Sequence, residues 1–194
     1  MLIDRKEEMI SDLKSRLSEE RFEHSLGVAR VARELAEKWN ADPLKAEIAG
    51  LLHDYEKETD IEVLREMTSE LFKDEVFVDS ILHGFVAAIT LKNIYGIEDE
   101  DILNAISYHT TGRANMSKLE KVIFVADLID DTRSYDDVDR IRELAFADLD
   151  EAVYEKLDFA ISKCERLERV IHSLTLEAKE YIILKLNENE NRRK

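Results

Sequence analysis

Six side chains in this sequence have the chemistry to hold metal ions: His24, the adjacent pair His53 and Asp54, His83, His109 and Asp127. The pair closes the stretch Ala49-Gly50-Leu51-Leu52-His53-Asp54, where a small, aliphatic run carries an ionisable doublet into an apolar interior. A carboxylate there loses its hydration and either takes up a proton or finds a cation, and the neighbouring residues supply none. A metal ion satisfies both residues; a core histidine hydrogen-bonded to its neighbour is the plainer reading of any one such pair. Asp127, the one charge in Val122-Ile123-Phe124-Val125-Ala126-Asp127-Leu128-Ile129, also needs a cation. Four of the five histidines fall in this set. His172, with no acidic neighbour in a buried run, reads as structural. Four imidazoles and two carboxylates exceed the needs of one tetrahedral zinc and suit two octahedral first-row ions sharing a bridging carboxylate, for which Asp54 is the natural candidate. Two ions about 3.5–4 Å apart hold a hydroxide between them and clamp the attacking and leaving oxygens of a phosphoryl transfer. The reaction class expected is metal-assisted hydrolysis of a phosphoester or phosphoanhydride.

These residues need elements to aim them. Adjacent positions on a helix point about 100° apart, so His53 and Asp54 converge on one ion only near a helix end. Asp42-Pro43 is a helix-start signal, and Gly50 with Lys57-Glu58-Thr59 fits a helix closing after the pair. Before it, the spacing predicts helices over about 4–17 and 20–39, the second capped by Ser18 and carrying His24 near its start. Thr59-Asp60 caps a short helix to about 67; 68–79 reads as irregular or as a short helix around Leu71-Phe72 and Val76-Phe77-Val78. A helix over about 80–95 carries His83 and stops at Gly96, and the next is expected to run from about 98 to His109. Ser117-Lys118-Leu119-Glu120 is a capping box that starts an almost wholly apolar, hence central, helix bearing Asp127. A short helix follows over 138–144. Asp148 caps a long one with Val153, Leu157, Ile161, Cys164 and Leu167 inward and Glu151, Glu155, Lys156, Glu165 and Arg166 on a solvated face. Ser173 starts the last helix, expected to fray after about 187.

With 44% hydrophobic and 37% charged residues, five Gly and one Pro, the composition indicates a helix-rich globular chain. The expectation is one all-α domain over 1–194, with a metal-binding core at about 20–135 and C-terminal helices at about 137–187. A net charge of −16 argues against long nucleic acid and anionic membranes as partners, while leaving room for a small anion at a local cationic site. The single Cys164 leaves no intramolecular disulfide and no cysteine pair for zinc, so any metal has nitrogen and oxygen ligands. The first residues turn charged before an apolar signal core forms, which makes the cytoplasm the expected compartment. The sequence leaves monomer or homodimer open; the apolar residues of the last two helices could be core or a dimer seam, and core is the default.

The order His24, His53-Asp54, His83, His109, Asp127 resembles the HD-domain metal-dependent phosphohydrolases. More narrowly, Arg21-Phe22-Glu23-His24-Ser25-Leu26-Gly27-Val28-Ala29, Leu82-His83-Gly84, Tyr108-His109-Thr110-Thr111-Gly112-Arg113 and Glu120-Lys121-Val122-Ile123 are similar to the bacterial YqeK group, over about 20–160. The resemblance implies an all-α HD helical bundle, two metal ions, commonly iron, and symmetrical hydrolysis of diadenosine tetraphosphate to two ADP. Manganese, cobalt, nickel or zinc also suit such ligands. Carried over, His24, His53, Asp54 and Asp127 hold one ion and Asp54, His83 and His109 the other, with Asp54 and Lys57 catalytic. Arg21, Lys57, Thr110, Thr111, Arg113 and Arg133 would contact the nucleotide. Two departures bear on the substrate: Phe85 follows His83-Gly84 where a proline is usual, and Asp130-Asp131-Thr132-Arg133 replaces a Glu-Pro-Gly-Arg-like turn. Hydrolysis of another nucleotide, di-iron oxygen chemistry and a non-catalytic nucleotide sensor are the alternatives on the same scaffold.

Overall fold

Local signals in the sequence set most of the helix boundaries. In a computed structural model describing residues 2–72 and 78–193, the described residues form ten α-helices, with short 3-10 turns at Leu2–Arg5 and Asp79–Ile81 and no strand. The α-helices are α1 (Lys6–Arg16), α2 (Glu19–Trp39), α3 (Pro43–Leu52), α4 (Ile61–Thr68), α5 (Leu82–Tyr95), α6 (Glu100–Ser107), α7 (Lys118–Ile129), α8 (Val138–Ala147), α9 (Leu149–Arg166) and α10 (Ser173–Arg193). Asp42, Asp60, Asp99 and Asp148 each accept hydrogen bonds from the first-turn amides of the helix they precede. Ser117 and Glu120 form the expected capping box at α7. Ser18 behaves differently: its hydroxyl and amide both donate to Glu58, tying the start of α2 to the segment after α3. The final helix runs beyond its expected end to Arg193. Val76 and Phe77 lie outside the described residues; Phe72 is buried in a small cluster with Leu64, Ile81, Leu82 and Val86.

Helix α7 is the centre of the main core, as its all-round apolarity requires. Val122, Ile123, Phe124 and Val125 are fully buried, each contributing about 1.5–3 kcal/mol of transfer free energy. Helices α2, α3, α6, α8 and α9 pack against it, so its one mid-helix carboxylate faces several neighbouring elements. Helix α3 crosses α2 at close range, with Gly50 against the backbone of Ala29; a Cβ at 50 would stand 3.0 Å from Ala29 Cα. Among the described residues no helix is long and apolar enough to cross a membrane.

Candidate metal centre

All six expected ligands come together where α2, α3, α5, α6 and α7 meet. His24 projects from α2 and Asp127 from α7, while His53 occupies the C-terminal cap of α3 and Asp54 the turn just beyond it. The helix end therefore brings the two adjacent side chains to bear on one region. His83 lies in the first turn of α5. His109 stands past the end of α6, which stops at Ser107, two residues earlier than the sequence suggests. Its ring turns back to bond the Ile106 carbonyl, 2.7 Å from Nδ1.

The two oxygens of Asp54 face different histidines. Oδ2 lies 3.6 Å from His53 Nε2 and 3.9 Å from His24 Nε2, and these two nitrogens are 3.8 and 3.2 Å from Asp127 Oδ1. Oδ1 lies 3.1 Å from His83 Nε2 and 3.4 Å from His109 Nε2, themselves 3.0 Å apart. Bonds of about 2.1 Å in an octahedral shell set neighbouring ligand atoms about 3 Å apart and opposite ones about 4.2 Å apart, a window that holds every one of these separations.

Each of three rings is oriented by a bond at its far nitrogen. His53 Nδ1 is 2.7 Å from the Gly50 carbonyl, His109 Nδ1 is bonded to Ile106, and His24 Nδ1 is 3.0 Å from Asp130 Oδ2. An Nδ1–H given to those acceptors leaves the Nε2 lone pair facing the group, the tautomer that a metal needs. Two atoms in the middle, His53 Nε2 and Asp54 Oδ1, are buried and have no hydrogen-bond partner. Unprotonated imidazole nitrogen beside carboxylate oxygen, oriented yet without a donor, fits a first-row cation.

The local field agrees. Burial pushes His53 down to about 4 and also lowers His83 and His109, so protonation of those rings is disfavoured. Burial also opposes charge on Asp54, but His53, His109, His83 and Lys57 outweigh it and hold the carboxyl well below the usual range. For Asp127, burial is outweighed by Lys156 and the histidines. Burial works against His24 as well, yet Asp127 and Asp130 raise it to about 9, so a cation seated between those carboxylates takes the place of a proton on Nε2.

Residues 21–131 match the family model described as HD domain. The chain belongs to the HD-domain family. An HD relative in Halalkalibacterium halodurans, named symmetrical bis(5'-nucleosyl)-tetraphosphatase, is 37% identical over 89% of this chain and 94% of its own. A Staphylococcus aureus protein of the same name is 45% identical over 73% of this chain and 76% of its own. The crystal structure of a Clostridium acetobutylicum protein, described as a predicted HD superfamily hydrolase involved in NAD metabolism, superposes with a TM-score of 0.86 at 38% identity, covering 92% of this chain and 97% of that one.

Around the expected ligands stand most of the expected nucleotide contacts. Arg21 NH1 is 3.5 Å from Asp54 Oδ2, and Lys57 Nζ is 3.6 Å from Asp54 Oδ1 and 3.1 Å from His83 Nε2. Thr110 Oγ1 is 3.0 Å from His109 Nε2. Arg133 reaches Asp127 Oδ1 at 3.0 Å and Asp130 Oδ2 at 3.1 Å. Thr111 is buried, and its hydroxyl donates to the Gly112 carbonyl. Arg113 is not brought into the group: it forks onto Glu120, with Nε 2.5 Å from Oε1, and lies over the Tyr108 ring.

Two cavities open beside the group. One of about 850 Å³ includes Lys57, His83, Thr110, Thr111 and Arg169, and takes in His172, which is buried in its wall rather than confined to the core. The other, of about 340 Å³, includes Thr110, Asp127, Arg133, Tyr135, Lys156 and Phe159.

Two further residues emerge only in three dimensions. Asp130, fully buried, orients His24. Lys156 is not on the solvated face expected for it; it is 6% exposed, with Nζ 2.8 Å from Asp127 Oδ2 and 3.1 Å from the His109 carbonyl. Asp127, conversely, is less enclosed than its apolar helix suggests, since its carboxylate is 19% exposed and opens onto the smaller cavity.

Proposed function

We propose that this chain is a metal-dependent phosphohydrolase that cleaves diadenosine tetraphosphate symmetrically to two ADP, using two ions, iron in the cell, and acting in the cytoplasm. The observation that carries the reading is the division of Asp54, whose two oxygens face separate histidine pairs at ligand-to-ligand spacings. The HD relatives bearing that activity in their names support the substrate. His24, His53, Asp54 and Asp127 are assigned to one ion, and Asp54, His83 and His109 to the other. Bound there, the ions supply Lewis-acid charge and an activated water.

The chain's own residues do the rest. Arg21, Lys57 and Arg133 place positive charge around the ligand group, where the inner phosphates of a tetraphosphate must lie to be cut at the middle. Lys57, on the turn that carries Asp54, acts as a point charge on the developing ADP, and Arg133 offers a planar fork to phosphate oxygens. Thr110 adds a hydroxyl beside His109.

The test is product identification after incubating anaerobically purified, iron-loaded protein with diadenosine tetraphosphate, with Asp54→Ala alongside. ADP is expected as the sole product, with metal content and turnover both lost in the variant. ATP plus AMP would contradict the central cut, and full activity in Asp54→Ala would end the two-ion assignment.

A further inference from the structure

The ligand atoms form a row: Asp127 with His24 and His53 at one end, Asp54 in the middle, His83 with His109 at the other. The smaller cavity takes in Asp127, at the first end, and the larger takes in His83, at the second. They share Thr110, Ala160 and Lys163, so the divide between them runs past His109, whose Nε2 is 3.0 Å from Thr110 Oγ1. Each is lined by three Lys or Arg side chains and one carboxylate: Arg133, Lys156 and Lys163 with Asp127 in the smaller, Lys57, Lys163 and Arg169 with Asp79 in the larger. On a chain of net charge −16 that balance marks both cavities for anionic ligands. Both volumes fall in the range of about 300–1,000 Å³ usual for small-molecule seats.

The smaller cavity also offers an aromatic face. Phe159 is 40% exposed and is the one aromatic ring among the exposed large apolar side chains of the described residues. It packs beside Tyr135, ring centroids 5.5 Å apart and planes tilted by 31°, and the Tyr135 hydroxyl donates to the Leu128 carbonyl at 3.2 Å. A ring held open in this way beside cationic side chains suits a base attached to phosphate.

We propose that the smaller cavity seats the second nucleoside of the substrate, its base stacked on Phe159, while the larger cavity takes the first and Lys163 meets the polyphosphate at the divide. This rests on the dinucleoside reading above, and it explains a cut at the middle: with a seat on either side, the inner phosphates lie at the ligand atoms between them.

The test is Phe159→Leu, which keeps apolar bulk without the ring, with Phe159→Tyr as the conservative variant. Calorimetric titration of the metal-loaded protein with ADP is expected to give two sites per chain in the wild type and one in Phe159→Leu. With diadenosine tetraphosphate, Phe159→Leu should raise KM about tenfold, from the loss of one stacked base, while kcat holds, and Phe159→Tyr should restore both readouts. One ADP site in the wild type, or two sites and an unchanged KM in Phe159→Leu, would overturn the second seat. A wild type that binds two ADP without cleaving diadenosine tetraphosphate would overturn the substrate reading and leave the second seat standing.

Discussion

Lys156 exchanges its hydration for two acceptors and an aromatic face: Asp127 Oδ2, the His109 carbonyl and the Phe124 ring, 4.2 Å from Nζ to centroid. Burial lowers its pKa, and Asp127 works in the opposite direction to keep it charged. Removing one partner of a buried pair costs more than the pair itself contributes, and here Asp127 Oδ2 would lose its ammonium while Arg133 stays on Oδ1. Lys156→Met is therefore expected to lower the unfolding free energy of the metal-free protein by about 3 kcal/mol in urea, and adding Asp127→Asn should recover much of that. A loss within about 0.5 kcal/mol would mean that the ammonium is idle. The sequence contained this residue's position but not its partner. Lys156 lies four residues after Ala152 and three after Val153, on the same buried stripe of α9, yet its charge and the flanking glutamates point to solvent. Asp130 hid in the same way, three residues after Asp127 in what reads as a polar turn. His53, Asp54 and Asp127 were legible because each interrupts an aliphatic run that had to be buried.

Helix starts were legible for a local reason, since a capping carboxylate or hydroxyl bonds amides two or three residues away. Helix ends were less so. Nothing in Ile106-Ser107-Tyr108-His109 stops a helix by propensity; past Ser107 the His109 ring takes the Ile106 carbonyl, and further on Gly112, at φ 64°, turns the chain. The approach of α5 to this end depends on Gly84, where a Cβ would stand 2.9 Å from both the Ile106 and Ser107 carbonyl oxygens and 3.2 Å from His109 Nδ1. Backbone carbonyls cannot swing aside as a flexible side chain does. Gly84→Ala is expected to cost about 1–3 kcal/mol in urea unfolding and to weaken metal binding by parting His83 from His109. Wild-type stability together with wild-type metal affinity would show that α5 has more room than these contacts allow.

The all-α architecture follows from composition and apolar period, and the centrality of α7 from its lack of a polar face. The cavities do not, because their walls combine residues as distant in sequence as Lys57 and Thr175, and no local pattern records that meeting. The charge total has the same blindness: a chain of net charge −16 still lines two cavities with three Lys or Arg side chains to one carboxylate each.

The bonds from His53 to the Gly50 carbonyl and from His109 to the Ile106 carbonyl mean that the expected metal ligands also close the last turns of α3 and α6. A cation pulling on Nε2 holds Nδ1 on those carbonyls, so local opening of either helix end requires release of the ion. Amide hydrogen exchange should therefore slow on addition of manganese at the ends of α3 and α6 and around His24, His83 and Asp127 together, while α10, which supplies no ligand, exchanges as before. Slowing confined to one of these segments would argue against a shared ion-gated opening. On this view a bound metal would fasten five elements that otherwise fray separately, and chelation would loosen them as one cooperative unit.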